Sequence, residues 1–267
     1  MIKNILLLII LLAMPFQLIK ANIIILNGLT HNYNIEAGKV YKGKISIENT
    51  GKQTQDVKLF LQDFMYNADG SIIYSAPNTN VKTNSGWIKI NTNLIRLGAK
   101  EKAEVFYEIT VPKNAPDDGS YWSVIIVEPV EDIKPTHDKP GVSITSVVRY
   151  AIQVITDLHS ENAKPDLKFE GIKIEKDEHK KILKVAIANK GNLYCKAVTS
   201  IDIYNKKDGE KIATLFSHAM GLLPQTSKSF QIDLSTISSG KYNAVLIATD
   251  ENENAFALNI ELEIKDD

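Results

Sequence analysis

The sequence predicts an all-β protein built as two tandem β-sandwiches behind a short export leader. Three observations carry this prediction. Apolar residues alternate with polar ones at period two along most of the chain. Turn-forming residues punctuate those runs at regular intervals. The two halves also repeat the same ordered set of turn motifs.

The chain has 267 residues, 44% of them hydrophobic and 24% charged. A domain of ordinary size runs to roughly 100–150 residues, so this length and composition describe two globular units with cores of their own. The net charge is -1, and the only arginines are Arg96 and Arg149. A chain this neutral and this poor in arginine lacks the field and the bidentate forks that nucleic-acid recognition uses.

Met1 to Asn4 form a short positive segment, Ile5 to Leu12 an unbroken apolar run, and Ala21 a small residue at its end. That is the pattern of a secretory signal peptide, and the run is shorter than the ~20 residues that span a bilayer. The expected division is 1–21 signal peptide, 22–160 first domain and 161–267 second domain. The boundary is marked by the polar stretch Asp157 to Pro165. The expected location is the periplasm, the cell surface or the medium. The C-terminus, Ile264 to Asp267, is polar, so no stable membrane insertion is expected after cleavage. Cys195 is the single cysteine, so no intramolecular disulfide forms, and its apolar surroundings predict a buried packing residue.

Period-two alternation is clearest at Ile45/Ile47, Val105/Tyr107/Ile109, Tyr121 to Val127, Ile144 to Val154, Leu183/Val185/Ile187 and Phe230/Ile232/Leu234. Asn49-Thr50-Gly51 is echoed by Asn189-Lys190-Gly191. Tyr66 to Gly70 is echoed by Tyr204 to Gly209, and Gly119-Ser120-Tyr121 by Gly240-Lys241-Tyr242. The order is the same in both halves, and the first half carries an insertion around residues 71–95.

Several motifs of the first half, taken together, resemble a known family. They are Glu36-Ala37-Gly38-Lys39, the Asn49-x-Gly51 turn, Gln62-Asp63-Phe64, Ser85-Gly86-Trp87-Ile88 and Leu97-Gly98-Ala99. Val111-Pro112-x-x-Ala115-Pro116 and Gly119-Ser120-Tyr121-Trp122 follow. Over residues 27–156 this series resembles the N-terminal, peptidoglycan-binding-type domain of the bacterial WxL-interacting cell-surface proteins. More loosely it is similar to the periplasmic pilus-assembly chaperones. Both resemblances imply immunoglobulin-like sandwiches, so the fold class expected is two tandem immunoglobulin-like β-sandwich domains. The WxL-interacting proteins usually end in a membrane helix with a basic tail, which this sequence does not show. The chaperones grip a subunit's terminal carboxylate with an arginine on the first strand and a lysine on the last strand of domain one. Here Ile23 to Ile35 holds neither, and Arg149 could supply one cation only.

No Gly-x-Ser-x-Gly elbow, phosphate-cradling glycine loop or His-Glu-x-x-His motif occurs. The five histidines are scattered among loop-like segments and predict solvated side chains, not a metal site. Asp250, Asn252, Asn254 and Glu261 have partial calcium-loop spacing, but Ala255 replaces the required glycine, so a hairpin turn is expected. The chain is therefore expected to be non-enzymatic and without cofactors. Two modes of binding stay open. Trp87, Tyr121 and Trp122 could form a stacking face for cell-wall glycan, against core packing for each. The strand from Val142 to Thr156, with Ile152, Val154 and Arg149, could be an edge that pairs with a strand of an envelope or secreted subunit, against an interior strand. The function expected is cell-envelope binding or assembly; the alternative is a chaperone for fimbrial or other secreted subunits.

Overall fold

The computed structural model describes residues 22–115, 117–130, 147–177 and 180–265. The predicted signal peptide, and the loop with Pro135, Pro140 and Gly141, lie outside the described residues. Every regular element is a strand except two 3-10 turns, Ser85–Trp87 and Ser160–Asn162.

Strands β1 (Ile23–Ile25), β2 (Thr30–Ile35), β3 (Val40–Asn49), β4 (Gln55–Tyr66), β5 (Ile72–Ser75), β6 (Ile88–Ile90), β7 (Leu94–Leu97), β8 (Lys102–Thr110), β9 (Gly119–Pro129) and β10 (Tyr150–Leu158) make the first sandwich. One sheet has the order β1-β3-β8-β6; the other has β2-β10-β9-β4-β5, with β7 also on β4. Strands β11 (Leu167–Asp177), β12 (Lys180–Asn189), β13 (Cys195–Asn205), β14 (Lys211–Phe216), β15 (Met220–Leu222), β16 (Ser227–Asp233), β17 (Gly240–Asp250) and β18 (Ala255–Ile264) make the second. Its sheets run β11-β12-β16 and β14-β13-β17-β18, with β15 on β13.

Alternation places Ile45 and Ile47 of β3 against Val105, Tyr107 and Ile109 of β8 in the first core. In the second core, Leu183, Val185 and Ile187 of β12 meet Phe230 and Ile232 of β16 in the same way. The motif repeat is structural. Asn49 is fully buried, accepts the Gly51 amide and donates to the carbonyls of Gln53, Leu97 and Gly98. Asn189, equally buried, accepts from Gly191 and Asp166 and donates to Leu193 and Leu222. Tyr121 donates to the carbonyl of Asp117 and Tyr242 to that of Ser238, each four residues upstream, the tyrosine-corner geometry of immunoglobulin-like folds.

The segment 71–95 holds β5, β6 and the first half of β7 and is tied down by two buried polar groups. Asp63 accepts from the Thr79 and Asn80 amides and the Thr83 hydroxyl. Asn84 donates to Tyr121 O, Val154 O and Thr156 Oγ1 while accepting from Ser123.

Strand β9 is buried on both faces, and this joins the halves. Tyr121, Ile125 and Val127 enter the first core, whereas Trp122, Val124 and Ile126 join the cluster containing the second core. Polar bonds pin the seam. Tyr66 Oη accepts the Leu223 amide at 2.8 Å and donates to Gly221 O at 3.2 Å. Ser120 donates its amide to Asn192 O at 2.8 Å and receives the Tyr194 amide on Oγ at 2.6 Å. Gly119 lies at φ +111° with Asn192 O 2.2 Å from where a Cβ would stand, so only glycine fits. Beneath the seam, burial raises the pKa of Asp157, although the Ser120 hydroxyl donates to its Oδ1 at 2.5 Å.

Two outcomes follow. Asn189→Ala strands several buried backbone groups and lowers unfolding stability by at least about 2 kcal/mol, read by urea denaturation. A raised native pKa means that Asp157 supports folding fully only below the unfolded aspartate range and loses that contribution as pH rises through its native value. Asp157→Asn keeps the oxygen that accepts from Ser120. It raises the thermal midpoint at pH 7, and the gain disappears on acidification below pH ~4. An unchanged midpoint at pH 7 removes Asp157 from the pH dependence.

Candidate functional site

Binding on a sandwich without a catalytic cluster must use faces, edges or clefts. The residues singled out from sequence are distributed as follows. Ile152 and Val154 are fully buried in the first core. Their strand is not an edge: β10 pairs antiparallel with β9 and parallel with β2, from Gln153↔Thr30 to Leu158↔Ile35. These two side chains are core, and of the two placements left open for their strand the structure has the interior one, sealed by the chain's own β2. Arg149 lies just before β10, largely exposed, with Nε 3.0 Å from Glu128 Oε2 and a second bond to Oε1. It is a paired surface cation beside β9, and β2 brings no second cation to it.

The aromatic platform is also divided. Trp87 meets Tyr121 at 4.7 Å between ring centroids, the planes tilted by 46°, and packs against the first core. Trp122 is 2% exposed on the opposite face of β9, with Nε1 donating to Phe64 O at 3.0 Å. Both indoles are packing residues, and Trp122 belongs to the seam. The histidines differ from a uniformly solvated set. His31 lies in β2, half-buried, with Nδ1 2.7 Å from Tyr107 Oη, and desolvation lowers its pKa. His159 Nδ1 sits 2.8 Å from Asp118. Cys195 is 1% exposed, and burial pushes its thiol pKa up to about 12, which leaves it unreactive. The Asp250 carboxylate accepts from the Asn252 and Asn254 amides and from Asn254 Nδ2, closing the β17–β18 hairpin. No cluster of metal-ligating side chains occurs among the described residues.

What the sequence did not show is an open edge in the second half. Among the described residues β18 pairs only with β17, through the whole register from Gly240↔Ile264 to Thr249↔Ala255. Its topological counterpart β10 has β2 along the same side; β18 has nothing hydrogen-bonded there. Strand β11 of the facing sheet approaches β18 without joining it. The apolar row Phe256, Leu258 and Ile260 is incompletely covered, with Leu258 37% exposed. The outward row carries Asn259, Glu261 and Glu263, of which Glu261 pairs with Lys206 at 2.9 Å. An exposed edge of this length offers backbone donors and acceptors for another strand. The far edge, β14, presents Ile212 and Phe216 to solvent.

Residues 139–267 match the family described as WxL Interacting Protein, host binding domain. The resemblance to WxL-interacting proteins is thus borne out, and the matching segment is the half in which no diagnostic motif is visible. None of the curated proteins matches the chain. Solved structures of similar fold include the class 5 fimbriae chaperone CfaA, at 13% identity, 89% of this chain, 98% of that one and a TM-score of 0.47. The CsuC–CsuE chaperone–tip adhesion subunit complex of Acinetobacter baumannii gives 17%, 90%, 98% and 0.46. The SafA pilin–SafB chaperone complex of Salmonella enterica gives 12%, 92%, 97% and 0.42. At these values no partner or mechanism of this chain rests on them. Over residues 139–267, this chain is similar to the host binding domain of the WxL-interacting proteins.

Proposed function

We propose that this chain is a non-catalytic binding protein of the cell envelope, acting outside the cytoplasm, and that its second sandwich holds a protein partner by strand addition along β18. The observation that carries the reading is the contrast between two copies of one fold. The edge beside β10 is filled by β2, whereas the equivalent edge beside β18 is open and backed by the partly exposed row Phe256, Leu258 and Ile260. Strand β2 also supplies a template: a strand laid on β18 as β2 lies on β10 would run parallel to it. Main-chain bonds would then give affinity, and the apolar row specificity.

The family match supports the same half of the molecule, and its name carries over an expectation that the partner is a host protein. No helix among the described residues is long and apolar enough to cross a membrane. The chaperone alternative needs an open apolar edge with a free cation at its base in the first sandwich. There the edge is sealed and Arg149 is paired with Glu128. The geometry therefore favours binding over subunit chaperoning.

The test is capture of a partner from solubilised host surface protein on immobilised wild-type chain, followed by exchange measurements on the complex. Leu258→Lys puts a charge in the apolar row of the edge and reduces capture by about tenfold or more, equivalent to about 1.4 kcal/mol. Ile212→Lys, on the opposite edge, leaves capture intact. In the complex the β18 amides gain protection from hydrogen exchange. A complex that forms with β18 still freely exchanging rules out strand addition.

A further inference from the structure

The seam between the sandwiches leaves two clefts that share one wall. The first encloses about 510 Å³ and has an apolar floor of Phe64, Tyr66, Ile72, Tyr74 and Met220. The second encloses about 380 Å³ and is polar, lined by Thr30, Asn32, Tyr194 and Lys196, with no carboxylate. Gln153 and Lys228 line both. Lys228, on β16, is half-buried with Nζ 4.5 Å from the centroid of the Tyr66 ring.

The other charges around the first cleft are two lysines that share one carboxylate and an aspartate at the rim. Lys173 and Lys184 share the carboxylate of Glu175. Asp69, at the rim, accepts the Ser71 amide at 2.8 Å. Lys228 and Lys196 make no ion pair among the described residues. A half-buried ammonium without a counter-ion is disfavoured, and desolvation lowers its pKa; the face of Tyr66 offsets this only in part. An arriving carboxylate supplies the missing charge in a setting where water screens it weakly.

We propose that these joined clefts bind an acidic peptide segment of a partner protein, with one carboxylate on Lys228 beside Lys196 and Gln153 and a neighbouring apolar side chain on Phe64, Tyr74 and Met220. The combination selects the ligand class. A bare anion would leave the apolar floor of the 510 Å³ cleft unused, and a neutral apolar peptide would leave Lys228 unpaired. The site is separate from β18, because β16 belongs to the other sheet of the second sandwich. It does not rest on the strand-addition reading.

The experiment uses fluorescein-labelled Phe-Glu-Leu and Phe-Gln-Leu peptides with blocked C-termini, titrated by anisotropy against the chain from residue 22 onward. The glutamate peptide should bind about tenfold tighter, or about 1.4 kcal/mol. Lys228→Met, which keeps the packing over Tyr66, should abolish that preference at a thermal midpoint no lower than that of the wild type. Tyr74→Ser, at an exposed wall, should weaken both peptides alike, and Leu258→Lys should change neither. Equal affinity for the two peptides overturns the proposal, as does a preference that survives Lys228→Met. Inorganic phosphate or glucuronate that displaces the peptide at equal concentration also overturns it, by showing a simple anion site.

Discussion

The apolar cluster that runs from Trp122, Val124 and Ile126 of β9 into the core of the second sandwich is the constraint on which the rest of the structure depends. An immunoglobulin-like strand next to a single core needs only one apolar face. Strand β9 has two, and the second joins the cluster that contains the second core. Removing a buried tryptophan from such a site costs about 3–5 kcal/mol, so the contact is a large part of what holds the halves in place. Its geometry is restricted further by Gly119 against Asn192 and by the paired hydrogen bonds of Tyr66. A seam with this many fixed polar contacts is a platform, and clefts at its margins keep their shape without a ligand.

The two sandwiches diverge where the second is open. Both build the same corner around a buried asparagine and the same tyrosine corner at the start of the strand four residues on. Only the first closes its edge, by spending β2 on β10 in a parallel pairing. Strand β11 stays in its own sheet, with a register shift at Phe169/Gly171, and leaves β18 uncovered. The segment that opens each sandwich, β2 in the first and β11 in the second, therefore decides which edge is available.

The alternation and the repeated turns were legible because they are local. Ile45/Ile47, Val185/Ile187 and the Asn-x-Gly motifs define strands and corners within a few residues of themselves. Edges were not legible. Thr30-His31-Asn32-Tyr33-Asn34-Ile35 reads as polar, and nothing in it announces a parallel partner more than a hundred residues away at Gln153 to Leu158. The same holds for Trp122: its neighbours in sequence fix which way it points, but its hydrogen-bond partners, Phe64 and Lys82, lie about forty to sixty residues upstream. Lys228 is one lysine among many until its place over Tyr66 is known. Most of the motifs behind the family resemblance, Ser85-Gly86-Trp87-Ile88 among them, have no counterpart in the second half, whereas the family match falls on residues 139–267.

An open edge strand is a hazard that soluble proteins suppress, so its persistence at β18 needs a reason. The outward row supplies part of it. Two copies meeting through this same edge pair antiparallel about a two-fold axis, and a register centred on Glu261 to Glu263 sets these carboxylates opposite one another, which is destabilising. The inward row works the other way: Leu258 and Phe256 remain incompletely covered, although a polar residue there would have blunted the edge at little loss of core. An edge that repels itself through its outward side chains while keeping apolar ones inward discriminates against self-association and leaves room for a different strand. The same division appears at the seam, where Glu175 matches Lys173 and Lys184 and leaves Lys228 unmatched. In both places the chain satisfies most of its own groups and withholds one set, which is the physical condition for binding something other than itself.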